Sequence, residues 1–373
     1  MALSFVTGLE LSRDFYWQAV RPALEAAGRD LAGRELPHAA ALIGPGSEIL
    51  GFDTERSTDH DWGPRVLLFL RAEDREAYGD ELDDLLTRGI PSTFAGYPTT
   101  FGPPGARTQV MTPTGNGPVR HRIVVTDPGR WLDALLGFDP RRPPGLLDWL
   151  STPTQRLAEV TGGAVFHDGP GELTATRDRL GWYPDEVWRY VLACQWQRIS
   201  QEESFVGRCA EVGDEIGASV VAARLVRDLI RLHLLMGRRY PPYSKWLGSA
   251  LRWLPGTAEI SEPLYGAVSS RGPAREEHLA RAYEVAAERH NALGLTEPVD
   301  PATRFFFDRP FRVLRADRLA VALREGIRDP RLAALPPIGA IDQFGDGTDL
   351  FGNLAACRAA TAAVLGLGGT GTA

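Results

Sequence analysis

Lysine is almost missing from this chain. Of 41 basic residues one, Lys245, is lysine and the rest are arginine. That bias fits a GC-rich genome, so the single lysine is either chance or chemistry that a guanidinium cannot supply. Cysteine is scarce too. Cys194, Cys209 and Cys357 are an odd number at wide spacing, which supports neither a disulfide framework nor a zinc site and fits a reducing compartment. Long apolar runs are absent: Val66–Leu70 is typical, far short of the ~20 residues that cross a bilayer. The first residues show no basic stretch ahead of an apolar core. A cytoplasmic location without a membrane partner is therefore expected. There is no basic excess either. The formal net charge is −7, which speaks against a nucleic-acid partner, because neutralised phosphates supply most of that binding.

What is present is an ordinary folding composition, 43% hydrophobic and 24% charged over 373 residues, long enough for two domains. Apolar spacing predicts a helix over Leu11–Leu31, a strand over His38–Gly44, a strand over Asp61–Leu70 and a helix over Glu73–Arg88. A Gly/Pro/Thr-rich loop, Pro91–Gly117, precedes a strand at Arg120–Val125 and a helix at Arg130–Leu136. Beyond Arg141-Arg142-Pro143-Pro144 the periodicity is helical, as in Pro184–Gln201, Phe205–Met236 and Ala274–Leu293. The expectation is an α+β domain over 1–145, a mixed sheet flanked by helices, and an all-α helical domain over 146–373.

One stretch carries chemistry. Gly46-Ser47 follows the first apolar strand, and Asp59-His60-Asp61 opens the second. A glycine-serine turn lets a phosphate approach the backbone and adds a hydroxyl donor. Two aspartates two residues apart at a strand start leave the same face and can share a metal. Mg²⁺ takes one or two carboxylates, with substrate phosphates and water completing its octahedron. The two halves together, in this order, suit phosphoryl transfer from a metal-bound triphosphate.

Gly46, Ser47, Gly51, Asp59 and Asp61 resemble the signature of the nucleotidyltransferase superfamily, which includes DNA polymerase beta and the aminoglycoside nucleotidyltransferases. The spacer is about a residue longer than that pattern. Asp59–Pro64, Tyr240–Trp246 and Gly339–Phe344 further resemble a bacterial branch of that superfamily defined as a domain of unknown function. The resemblance implies a nucleotidyltransferase-type fold, Mg²⁺ held by Asp59 and Asp61, and ATP or another nucleoside triphosphate seated at Gly46 and Ser47. It also implies a third carboxylate on a later strand, as metal ligand or base. The middle of Arg120–Asp127 has no acid, which leaves Asp127 or His121 as candidates.

Other candidates come with plainer readings beside them. Lys245 could reach the triphosphate or snorkel over Trp246. Tyr240 could stack on the nucleotide or close a helix end. The stripe Arg224, Arg227, Asp228 and Arg231 could line a cleft or form solvated ion pairs. Asp342, Gln343, Phe344 and Asp346 could reach the site or form a turn. His60 faces away from its aspartates, and His233 reads as a core residue. The resulting expectation is an enzyme that moves a nucleoside monophosphate onto a hydroxyl or similar group, releasing pyrophosphate. A small-molecule acceptor is favoured over a protein side chain. The rival is a nucleotide-binding regulatory or scaffold protein without turnover.

Overall fold

In the computed structural model, residues 5–103, 105, 108–113 and 118–367 are described. Part of the expected loop, residues 104, 106, 107 and 114–117, lies outside them. The chain forms two compact units, residues 1–143 with 156–181, and residues 144–155 with 182–373. A single crossing near 145 was expected. Instead the chain leaves unit 1 briefly and returns, because residues 156–181 carry a strand that completes the first sheet.

Unit 1 is built on four strands: β1 His38–Leu42, β2 Arg65–Leu70, β3 Arg122–Thr126 and β4 Ala164–Asp168. Their order is β3-β2-β1-β4. β1 runs antiparallel to β2 (Ala41 opposite Leu67) and to β4, whereas β2 and β3 are parallel with Arg65 opposite Arg122. The sheet is thus mixed, as expected. β1 is buried along its whole length, which explains why it reads as a continuous apolar run instead of an alternating one. One face packs Ala40, Val66, Leu68 and Ile123 under helices α1 (Gly8–Phe15), α2 (Arg21–Ala32) and α3 (Ala72–Gly89). The other packs Ala39, Ala41 and Phe69 against Trp131 of α4 (Pro128–Leu136) and Leu173 of α5 (Glu172–Leu180). The helix expected over Leu11–Leu31 is interrupted by a π turn, Tyr16–Val20. Pro22, at the start of α2, has no N–H for the preceding turn, and the wider turn absorbs the break.

Unit 2 is mostly helical: α6 (Asp185–Glu202), α7 (Glu215–Met236), α8 (Ser244–Ala250), α9 (Thr257–Ser269), α10 (Gly272–Ala292) and shorter pieces. It is not all-α, since Arg304–Phe305 and Arg312–Val313 pair as a small antiparallel ribbon. Large buried side chains fill it, among them Trp188, Trp196, Leu229 and Tyr283. Among the described residues no helix is long and apolar enough to cross a membrane.

Candidate functional site

The strand directions gather one end of the unit 1 sheet. The C-terminal end of β1 lies beside the N-terminal ends of β2, β3 and β4. Chain leaving β1 makes the turn Gly44-Pro45-Gly46-Ser47 and enters a 3-10 turn, Glu48–Leu50. Gly46 has φ +150, and a Cβ there would collide with the Arg65 guanidinium and come within 2.6 Å of Glu48 Oε2. Only glycine fits this turn. Among the described residues the Ser47 hydroxyl has no hydrogen-bond partner; its carbonyl accepts from Phe52 N–H at 2.9 Å.

Under the turn lies a pair that sequence reading missed. Glu48 is buried and accepts from Arg65 Nε at 3.0 Å, while Arg65 Nη2 also donates to the Pro45 carbonyl at 3.0 Å. The ion pair ties the first residue of β2 to the glycine-serine turn. Arg65 shares its register and sheet face with Arg122 on β3. Arg122 Nη1 in turn sits 3.3 Å from Asp61 Oδ1. Burial and the neighbouring Arg65 push the Arg122 guanidinium down from its ordinary value, with Asp61 opposing them. The available signal was an arginine opening each of two otherwise apolar strands.

The aspartates differ from expectation. β2 begins at Arg65, so Asp59 and Asp61 are not strand residues. Asp59 ends a 3-10 turn, His60 is extended, and Asp61 has φ +51. Strand alternation therefore does not set their directions. Aspartate is one of the few side chains that enters the left-handed region without large strain. Asp61 is held there by its own N–H to the Gln109 carbonyl (2.7 Å) and by Gln109 N–H to its carboxylate (3.2 Å). The side chains of Asp59 and Asp61 are 69% and 44% exposed. Asp59 touches His60 Nδ1 at 2.8 Å. Nearby Asp53 is consumed by folding, accepting from Gly8 N–H and Trp62 Nε1.

The donor set decides how many ions could sit here. Two exposed carboxylates are the donor type that one Mg²⁺ arriving with phosphates would take. They do not fit a two-ion clamp, because a guanidinium, Arg122, stands beside Asp61 where a third acid is needed. Among the described residues no group of three or more His, Cys, Asp or Glu could hold a metal.

Neither candidate for the third group points into this site. Asp127 follows β3 at its far end, roughly 16 Å from Arg122 at the usual strand rise, and caps α4 by accepting from Arg130 N–H at 2.9 Å. His121 precedes β3 but turns to α3, with Nε2 3.4 Å from Thr87 Oγ1 and 4.0 Å from Asp83. Burial pushes its imidazole below the ordinary value, with Asp83 opposing.

Lys245 and Tyr240 belong to unit 2. Lys245 is exposed, its ammonium 4.8 Å from the centre of the Trp246 ring, the snorkelling arrangement. Tyr240 is buried, its ring 4.7 Å from Trp182 and 5.1 Å from Tyr183. Burial pushes its phenol well up. No face is left for a base to stack on. Asp342 is half-buried, and its carboxylate accepts from Thr154 N–H (2.8 Å) and hydroxyl (3.0 Å). It is a fold contact.

Residues 149–247 match a family described as a domain of unknown function (DUF4037). The chain is similar to the crystal structure of a nucleotidyltransferase-like protein from Exiguobacterium sibiricum, at 11% identity and a TM-score of 0.32, over 85% of this chain and 88% of that one. Comparison with curated proteins gives no match.

Proposed function

We propose that unit 1 binds a nucleoside triphosphate, with ATP the first candidate, and has a nucleotidyltransferase-like role. The outer phosphates would lie against Gly46 and Ser47, where the missing side chain opens the backbone and the free hydroxyl can donate. Asp59 and Asp61 would hold one Mg²⁺, which supplies charge neutralisation at the phosphates when bound. Arg122, next to Asp61, would offer its guanidinium to the same oxygens.

A single observation carries this reading: the glycine-serine turn and Asp61 share one sheet end, linked through Arg65 and Arg122. The activity proposed for such a site is transfer of a nucleoside monophosphate to a hydroxyl, with pyrophosphate leaving. The acidic charge favours a small-molecule acceptor, a protein side chain being second. One observation favours the rival, nucleotide binding without turnover in a regulatory or scaffold role. Asp127 and His121, the residues expected to supply a base, face elsewhere.

The test begins with Asp59→Asn combined with Asp61→Asn. Mg²⁺-dependent ATP binding should be lost, with a change in stability below about 0.5 kcal/mol, as for exposed side chains. Unchanged ATP affinity refutes the assignment. α-Labelled ATP with Mg²⁺ and cell extract then separates the two readings: labelled product supports transfer, and binding alone supports the rival.

A further inference from the structure

Two arginines stand at the site end of the unit 1 sheet, and the fold answers them differently. Arg65 is paired with Glu48, and both side chains are enclosed, 12% and 2% exposed. That pair is closed to a ligand. Arg122, in register with Arg65, has one carboxylate within 4.0 Å among the described residues. It is Asp61, 3.3 Å from Nη1 and 44% exposed. The Arg122 guanidinium also lies 5.5 Å from the centre of the buried Phe101 ring, a cation–π contact that holds it at the site.

Asp61 therefore carries a resident cation, on an oxygen that also accepts from Gln109 N–H at 3.2 Å. Asp59 is shared with His60 Nδ1 at 2.8 Å. Two aspartates set against one guanidinium leave a single negative charge. A guanidinium does not lose its proton in a protein, so this balance is fixed. A bare divalent ion meets weak net attraction and a like charge standing at Asp61. A triphosphate meets that same guanidinium as a counter-ion.

We propose that Arg122 makes this site exclude a bare divalent cation and admit one only in company with a triphosphate. This rests on the triphosphate reading of unit 1 and adds an order of entry to it. Arg122 occupies Asp61 until polyphosphate oxygens share its guanidinium, and the aspartate is then released for metal. Removing the charge of Arg122 should shift two affinities in opposite directions. A residue that only supports the fold would weaken both.

The full chain is titrated with Mn²⁺ in the absence of nucleotide, reading free Mn²⁺ by electron paramagnetic resonance; this ion takes the same oxygen ligands as Mg²⁺. Asp59→Asn with Asp61→Asn sets the background from other surface acids. Binding of Mg·ATP is measured in parallel by calorimetry. Arg122→Gln should bind bare Mn²⁺ about tenfold more tightly than the wild type, the scale for removing one positive charge a few ångström from a divalent ion in water. The same variant should bind Mg·ATP about tenfold more weakly, having lost a charge-assisted hydrogen bond. Arg122→Lys keeps the charge and should stay as poor as the wild type for bare Mn²⁺, which separates charge from packing. Equal Mn²⁺ affinity in Arg122→Gln and the wild type, or a fall in both affinities together, overturns the proposal; Mg·ATP binding by the wild type then leaves the triphosphate reading standing. No Mg·ATP binding by the wild type removes both.

Discussion

Asp61 in unit 1, two residues before Gly63, and Asp342 in unit 2, in a short helix (Ile341–Phe344) between Gly339 and Gly345, are used by folding in opposite ways. Asp61 keeps nearly half its side chain in solvent and bonds through one oxygen. Asp342 is half-buried, with both carboxylate oxygens committed to Thr154. The partners decide this. Around Asp61 the chain offers a side-chain cation and one amide, which an incoming ligand can replace. Around Asp342 it offers an N–H and a hydroxyl from a single buried residue, Thr154, which a ligand would have to displace together. An acid left available can serve chemistry, whereas an acid enclosed by the fold serves stability.

Asp342→Ala is the largest way to break the comparison. It strands the Thr154 N–H and should cost roughly 3 kcal/mol in chemical denaturation. A cost as small as that expected at Asp61 would put the two acids in one class. Acid should affect both units. Burial pushes His38 in unit 1 down to about 4, and in unit 2 it lowers His233 to about 3 and His290 to about 4. Each lowered imidazole binds fewer protons folded than unfolded. The stability it contributes is present above about pH 6.5 and is lost as pH falls toward 4. The loss is about 3 kcal/mol per site at 1.36 kcal/mol per pKa unit, and His38→Gln should flatten its share of the slope. A flat profile between pH 6.5 and 4 in the wild type would contradict these burials. The smallest effect belongs to Lys245→Ala. An exposed cation over a ring contributes about 0.5 kcal/mol, and ATP binding should not change. A clear loss of ATP affinity would return Lys245 to the site.

Much of unit 1 was legible because its signals are local. Fully buried β1 shows as an apolar run, α3 as a charged helix with an inner stripe, and β3, Arg122–Thr126, as most of the expected Arg120–Val125 region. The Gly46 turn was legible for the same reason, since glycine at a strand end has few other uses. What the sequence hid depends on long-range contact. β2 starts four residues later than expected because Asp61 enters the left-handed region and Gly63 follows with φ +133. Arg122 beside Asp61 requires knowing that β2 and β3 are parallel and in register. Tyr240 looked available because its aromatic neighbours Trp182 and Tyr183 lie far away in sequence.

The returning segment 156–181 has a consequence for how the chain assembles. The edge strand β4 is translated after residues 144–155, which already belong to unit 2. Until residue 168 has been made, β1 presents a row of unsatisfied amides and carbonyls flanked by alanine and leucine, the kind of border that recruits foreign strands. A fragment stopped at 145 would keep that border permanently and should be prone to aggregate, whereas one ending after α5 carries its own seal.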